Sequence, residues 1–164
     1  MDIHTVLVIA HVAGAILGVG GATIAEVNVM RALKKDGISE DEKYLMHGTY
    51  MVIRIGTLLA LLSGVALIWW IYLVEGRDWP LYSAKIWVKD VMLLVIVFNA
   101  WFLTKRWIPL WLGSALSFTS WWGATILGLW RTPYSFWELI AGYVVAIAVV
   151  AVILQMIRKY VARK

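Results

Sequence analysis

Five stretches of this chain carry no Asp, Glu, Lys or Arg: residues 3–25, 55–74, 91–104, 107–130 and 139–157. They are 23, 20, 14, 24 and 19 residues long. About 20 residues of helix cross a hydrocarbon core some 30 Å thick, so four of the five suffice as they stand. The third reaches that length only by running back to Leu81, which brings Lys85, Lys89 and Asp90 into the span. No segment alternates with period two, as barrel strands do, and a helix satisfies its own backbone in lipid. The expectation is an all-α integral membrane protein, a bundle of five transmembrane helices over 3–30, 41–74, 81–104, 107–130 and 134–158. Residues 1–164 then form a single domain.

Composition agrees and excludes other classes. Hydrophobic residues make up 62% and charged residues 15%, against about half and a quarter in soluble domains. The absence of cysteine removes disulfides, thiolate metal sites and a Cys nucleophile. No strand-associated phosphate loop, His-Glu-x-x-His zinc motif or Gly-x-Ser-x-Gly elbow is present. The first segment lacks a basic n-region and is longer than a signal h-region, so it is expected to be a retained span. Punctuation fits the helices. Asp36-Gly37 reads as a turn, and Ser39 through Glu42 as a capping box opening the second helix. Pro80, Pro109 and Pro133 mark helix starts, and Glu138 falls in the first turn of the last helix.

Orientation follows from the basic residues. Arg31, Lys34, Lys35, Lys43, Lys105, Arg106, Arg158, Lys159, Arg163 and Lys164 fall on one side, against Arg77 and Arg131 on the other. The positive-inside rule then puts the N-terminus outside and the C-terminus in the cytoplasm, in an inner or plasma membrane. The net charge of +5 is thus mostly a topological signal. It attracts anionic lipid and gives no reason to expect nucleic acid. Tryptophans map to both interfaces: Trp69, Trp70, Trp79, Trp130 and Trp137 outside, Trp101, Trp107 and Trp111 inside. Gly14 and Gly18, then Gly56, Ala60 and Gly64, form stripes at spacing four that let helix backbones approach. A sharper reading has Gly14, Gly18 and Gly21 leave room for a flat cofactor.

Ionisable groups inside a span are costly, and each is a functional candidate. Here they are His11, Glu26, His47, Arg54, Lys85, Lys89 and Asp90. Counting at about 1.5 Å per residue puts His11 roughly 12 Å below the outer end of its helix and Arg54 roughly 15 Å above the inner end of the second. Lys89 and Asp90 come out about 12–13 Å, and Lys85 about 6 Å, below the outer face. These five are expected together in the middle and outer bilayer, with Arg54 paired to Asp90. Lys85 and Lys89, one turn apart, call for an anion nearby unless Lys85 snorkels outward. Glu26, His47 and Asn99 are expected near the inner face, with no role assigned.

Some of these residues resemble a known family. His4-Thr5 through His11-Val12-Ala13-Gly14, Arg54 and Gly64, and Ser83-Ala84-Lys85-Ile86 before Met92-Leu93-Leu94-Val95 are similar to HemJ-type protoporphyrinogen oxidases and CopD-like membrane proteins, over about residues 4–104. Ser83 stands where that family has His, and Gly20-Gly21-Ala22-Thr23 replaces its aromatic, Arg-bearing segment. The resemblance implies a b-type haem near His11 and Lys85.

The function expected is a membrane redox protein, an oxidoreductase if an enzyme, holding haem b inside the bundle. His11 is the metal ligand, and Lys85, Lys89, Arg54 and Asp90 surround the cofactor. Arginine or lysine would neutralise propionates, and apolar walls would tune the potential. Two alternatives stand beside it. One is an ion, proton or metal transporter using the intramembrane charges. The other is an accessory subunit of a larger complex. Expected partners are the bilayer, a second copy of the chain or a membrane redox protein.

Overall fold

The computed structural model describes residues 2–32 and 39–161. Lys34, Lys35, the Asp36-Gly37 turn, Arg163 and Lys164 lie outside the described residues. The elements are α1 (Ile3–Ala32), α2 (Glu40–Leu73), a single turn α3 (Trp79–Tyr82), α4 (Ala84–Thr104), α5 (Leu110–Leu129) and α6 (Phe136–Val161). Among the described residues there is no strand. Helices α1, α2, α4 and α6 are long and apolar enough to cross a membrane. Helix α5 has 20 residues and no charge, but Trp, Ser, Thr and Gly dilute its apolar content. It is also the helix most enclosed by protein, packed on α1, α4 and α6 with Gly113, Ala115, Thr119, Ser120, Trp121 and Leu127 buried. A helix sheltered by its neighbours presents less surface to lipid and can carry more polar side chains. On α6, by contrast, only 11% of the most apolar window is buried in the protein, which leaves the rest for lipid.

Helix ends follow their local chemistry. The Ser39 hydroxyl accepts from the Glu42 amide at 3.2 Å, and the Glu42 carboxylate accepts from the Ser39 amide at 3.0 Å. That is the expected capping box, satisfying two otherwise orphaned donors. Ser135 and Glu138 repeat the device before α6, with Oε2 of Glu138 accepting from the Ser135 amide at 2.8 Å. The third long helix differs from expectation. It does not run unbroken from 81, because Ser83 is extended (φ −75°, ψ 109°) and separates α3 from α4. The Ser83 carbonyl accepts from the Ile86 and Trp87 amides, and the Trp87 indole donates to the Leu81 carbonyl at 2.8 Å across the break.

The tightest packing joins α1 to α2. A Cβ on Gly14 would lie 2.5 Å from the Ala60 amide nitrogen, and one on Gly56 would lie 2.8 Å from the Gly18 nitrogen. The small residues therefore serve backbone approach. They leave no room for a flat cofactor. Gly18 faces the Trp121 ring and Gly21 faces the Ile53 side chain, so the chain itself fills that space. Trp121 with Ala22, Ala60 and Ile96 makes one core cluster, and Val88, Met92, Leu127 and Tyr143 make a second. Next to the latter, the Ser120 and Tyr143 hydroxyls pair at 2.6 Å.

Candidate functional site

Helix α2 is 34 residues long, about 51 Å at the helical rise and much longer than a hydrocarbon core. Depth counted from its first residue therefore overstates how far Arg54 enters the membrane. Counted from the uncharged run that begins at residue 55, Arg54 sits at the edge of a full crossing. The structure groups Arg54 with residues from the C-terminal halves of α1 and α4 and the N-terminal half of α5. It lines a chamber of about 860 Å³ together with Glu26, His47, Asn99, Arg106 and Ser114. Helices α1 and α5 form the floor, while α2 and α4 flank the mouth and scarcely touch each other. The remaining walls are largely apolar, among them Ala22, Ile53, Leu58, Ile96, Val97 and Phe118.

The floor carries a buried ion pair that the sequence reading missed. Glu26 on α1 and Arg158 on α6 meet at 2.6 Å, with side chains 5% and 11% exposed. Arg158 Nε and Nη2 donate to Oε1 at 2.9 and 2.6 Å, and Nη2 donates to Oε2 at 2.8 Å. The same Nη2 donates to the Ser114 hydroxyl at 2.7 Å, and that hydroxyl donates to Glu26 Oε2. A buried carboxylate needs such a set of donors, and the planar guanidinium supplies them as a fork. Sequence reasoning placed Arg158 in the cytoplasmic tail. Its signal was present, however: Glu26 and Arg158 are the first charges after runs of 23 and 19 uncharged residues, on one side and of opposite sign.

Neutralisation of Glu26 sets the charge of the chamber. Among the described residues, no hydrogen bond or ion pair engages the side chains of Arg54, Arg106 or His47. Arg54 and His47 are exposed on the chamber side of α2. Arg106 follows α4 with a left-handed backbone (φ 57°) that turns the chain toward α5. Two unpaired guanidiniums and an imidazole thus remain on an apolar wall. Near them, Asn99 Nδ2 donates to the Gly113 carbonyl at 2.7 Å and pins α4 to α5.

The other expected site residues lie elsewhere. Arg54 and Asp90 form no ion pair, because Arg54 stands at the level of the C-terminal half of α4 and Asp90 lies in the first two turns of that helix. His11, Lys85, Lys89 and Asp90 do not line the chamber. His11 packs in the α1–α2 contact, its Nδ1 donating to the Ala60 carbonyl at 3.0 Å. That bond fixes the proton on Nδ1. Among the described residues no group of three His, Asp or Glu gathers around it as a metal site. Lys85 Nζ donates to the Trp130 carbonyl at 3.0 Å, at the C-cap of α5. A cation there satisfies an orphan carbonyl and the helix dipole, a structural task. Lys89 and Asp90 stay half-buried on α4. Glu26, His47 and Asn99, expected near the inner face, do come together in the chamber.

Comparison with known proteins adds no relative. No family model, no curated protein and no solved structure matches the chain.

Proposed function

We propose that the chain is a five-span protein of an inner or plasma membrane, N-terminus outside and C-terminus cytoplasmic, that binds an amphipathic anion in its inner chamber. The observation that carries this is the chamber's charge. Among the described residues its one carboxylate, Glu26, is taken up by Arg158, while Arg54 and Arg106 stand unpaired on apolar walls. A guanidinium in such surroundings favours a ligand with an anionic head and an apolar body. Helix α5 counts as the fifth span because it is uncharged and enclosed among spanning helices. The lack of native cysteine makes single introduced cysteines unambiguous topology reporters. The binding test is native mass spectrometry of the purified protein. A retained amphiphile in the wild type, absent from Val97→Trp, supports the reading. Equal adducts in both refute it.

A b-type haem is a second reading, favoured by an imidazole beside two guanidiniums on an apolar wall. A haem bound there would supply a one-electron centre. The size and polarity of the chamber fit a macrocycle with two carboxylates. The imidazole on its wall is that of His47, whereas His11 is held against Ala60 outside it. Arg54 and Arg106 would hold the propionates. An absorbance spectrum decides: a Soret band lost in His47→Ala and kept in His11→Ala supports this placement, and the reverse pattern returns the haem to His11.

A further inference from the structure

We infer that the amphipathic anion is a phospholipid of the inner leaflet, with its phosphate against Arg54 and Arg106 and one acyl chain inside the chamber. This rests on the reading of the chamber given above and makes it specific. Three observations lead to it.

The first is level. Arg54 immediately precedes a 20-residue uncharged run, and Arg106 follows the run that ends α4. Both guanidiniums therefore stand at the inner boundary of the hydrocarbon, where lipid phosphates lie. The second is chemistry. Arginine offers a planar fork that matches phosphate oxygens, and neither side chain has another partner to give up among the described residues. The wall beyond them, through Leu58, Ile96 and Val97, is apolar and suits a hydrocarbon tail.

The third is size and access. The chamber measures about 860 Å³. That is room for an acyl chain with a phosphoglycerol head. Helices α2 and α4 both line the chamber and scarcely touch each other, which leaves a gap between them. A diacyl lipid can enter from the leaflet and leave its second chain in the bilayer, so no route through water is needed.

The test uses the full-length protein in nanodiscs of phosphatidylcholine with a minor share of phosphatidylglycerol, followed by native mass spectrometry. The wild type is expected to retain one phosphatidylglycerol, enriched roughly tenfold over its share, as one charge-assisted contact gives. Arg54→Gln should erase the enrichment while the helical circular dichroism is unchanged, because Arg54 is exposed and has no protein partner among the described residues. Arg106→Gln should lower it. If the wild type instead retains a haem or another anionic amphiphile that is not a phospholipid, the lipid inference falls while the chamber reading stands. If the wild type retains nothing and Val97→Trp alters nothing, both fall.

Discussion

Replacing Glu26 by Gln removes one half of a buried ion pair and leaves the other half in place. Arg158 then keeps its charge at a site 11% exposed, with only uncharged acceptors left, the Gln amide oxygen and the Ser114 hydroxyl. Three bonds to the carboxylate, at 2.9, 2.6 and 2.8 Å, are lost or weakened together. Breaking a buried pair from one side costs about 3–5 kcal/mol, mostly for the stranded charge. At roughly 2–4 °C per kcal/mol for a chain of this length, the midpoint should fall by roughly 6–20 °C. Arg158→Met should cost a similar amount. The double variant Glu26→Gln with Arg158→Met strands no charge and should recover most of the loss. Thermal melts in detergent, followed by the fluorescence of the 11 tryptophans, measure all three. Single losses below about 1 kcal/mol, the range of an exposed pair, would refute the account. So would a double variant whose loss equals the sum of the two singles, since that would leave no coupling between the partners.

Gly14→Ala puts a methyl 2.5 Å from the Ala60 backbone nitrogen, which has no room to yield, and should cost about 1–3 kcal/mol. Gly142→Ala meets open space and should be neutral or gain up to about 1 kcal/mol of helix propensity; the same melts compare the two. At the start of α1, Asp2 Oδ1 accepts from the Thr5 amide at 3.0 Å, and the Thr5 hydroxyl and amide hold its carboxyl below the usual carboxylate value. The cap is therefore complete above about pH 3.9 and is lost as pH falls through the lowered value. The Thr5 amide shift should titrate with it, and Asp2→Asn should abolish that titration.

Local signals read well from the sequence. Ser39 and Glu42 announced a helix start through spacing alone, and the uncharged runs, extended to the flanking turn and capping signals, placed the ends of the long helices to within about three residues. Boundaries failed where a residue had to choose between helix and cap, as Ser83 did, because extended backbone there lets one residue end α3 and begin α4. The grouping of the charged residues departs from expectation for two reasons. Depth counted from helix ends placed Arg54 beside Asp90, yet a helix longer than the bilayer has no fixed relation between its end and the membrane surface. Partnership at a separation of 132 residues left no local pattern, so Glu26 and Arg158 were legible only as two edge charges of opposite sign. Lys85 shows the converse case. Its distance from the other charges carried no information about the Trp130 carbonyl that holds it.

The distance along the chain between Glu26 and Arg158 also has a cost in time. Synthesis at about 5–20 residues per second delivers the second partner roughly 7–26 s after the first. Throughout that interval α1 carries the Glu26 carboxylate with its guanidinium not yet made. The tie between the first helix and the last can therefore form only once the last is made, and a chain that stops short of Arg158 leaves Glu26 without its guanidinium.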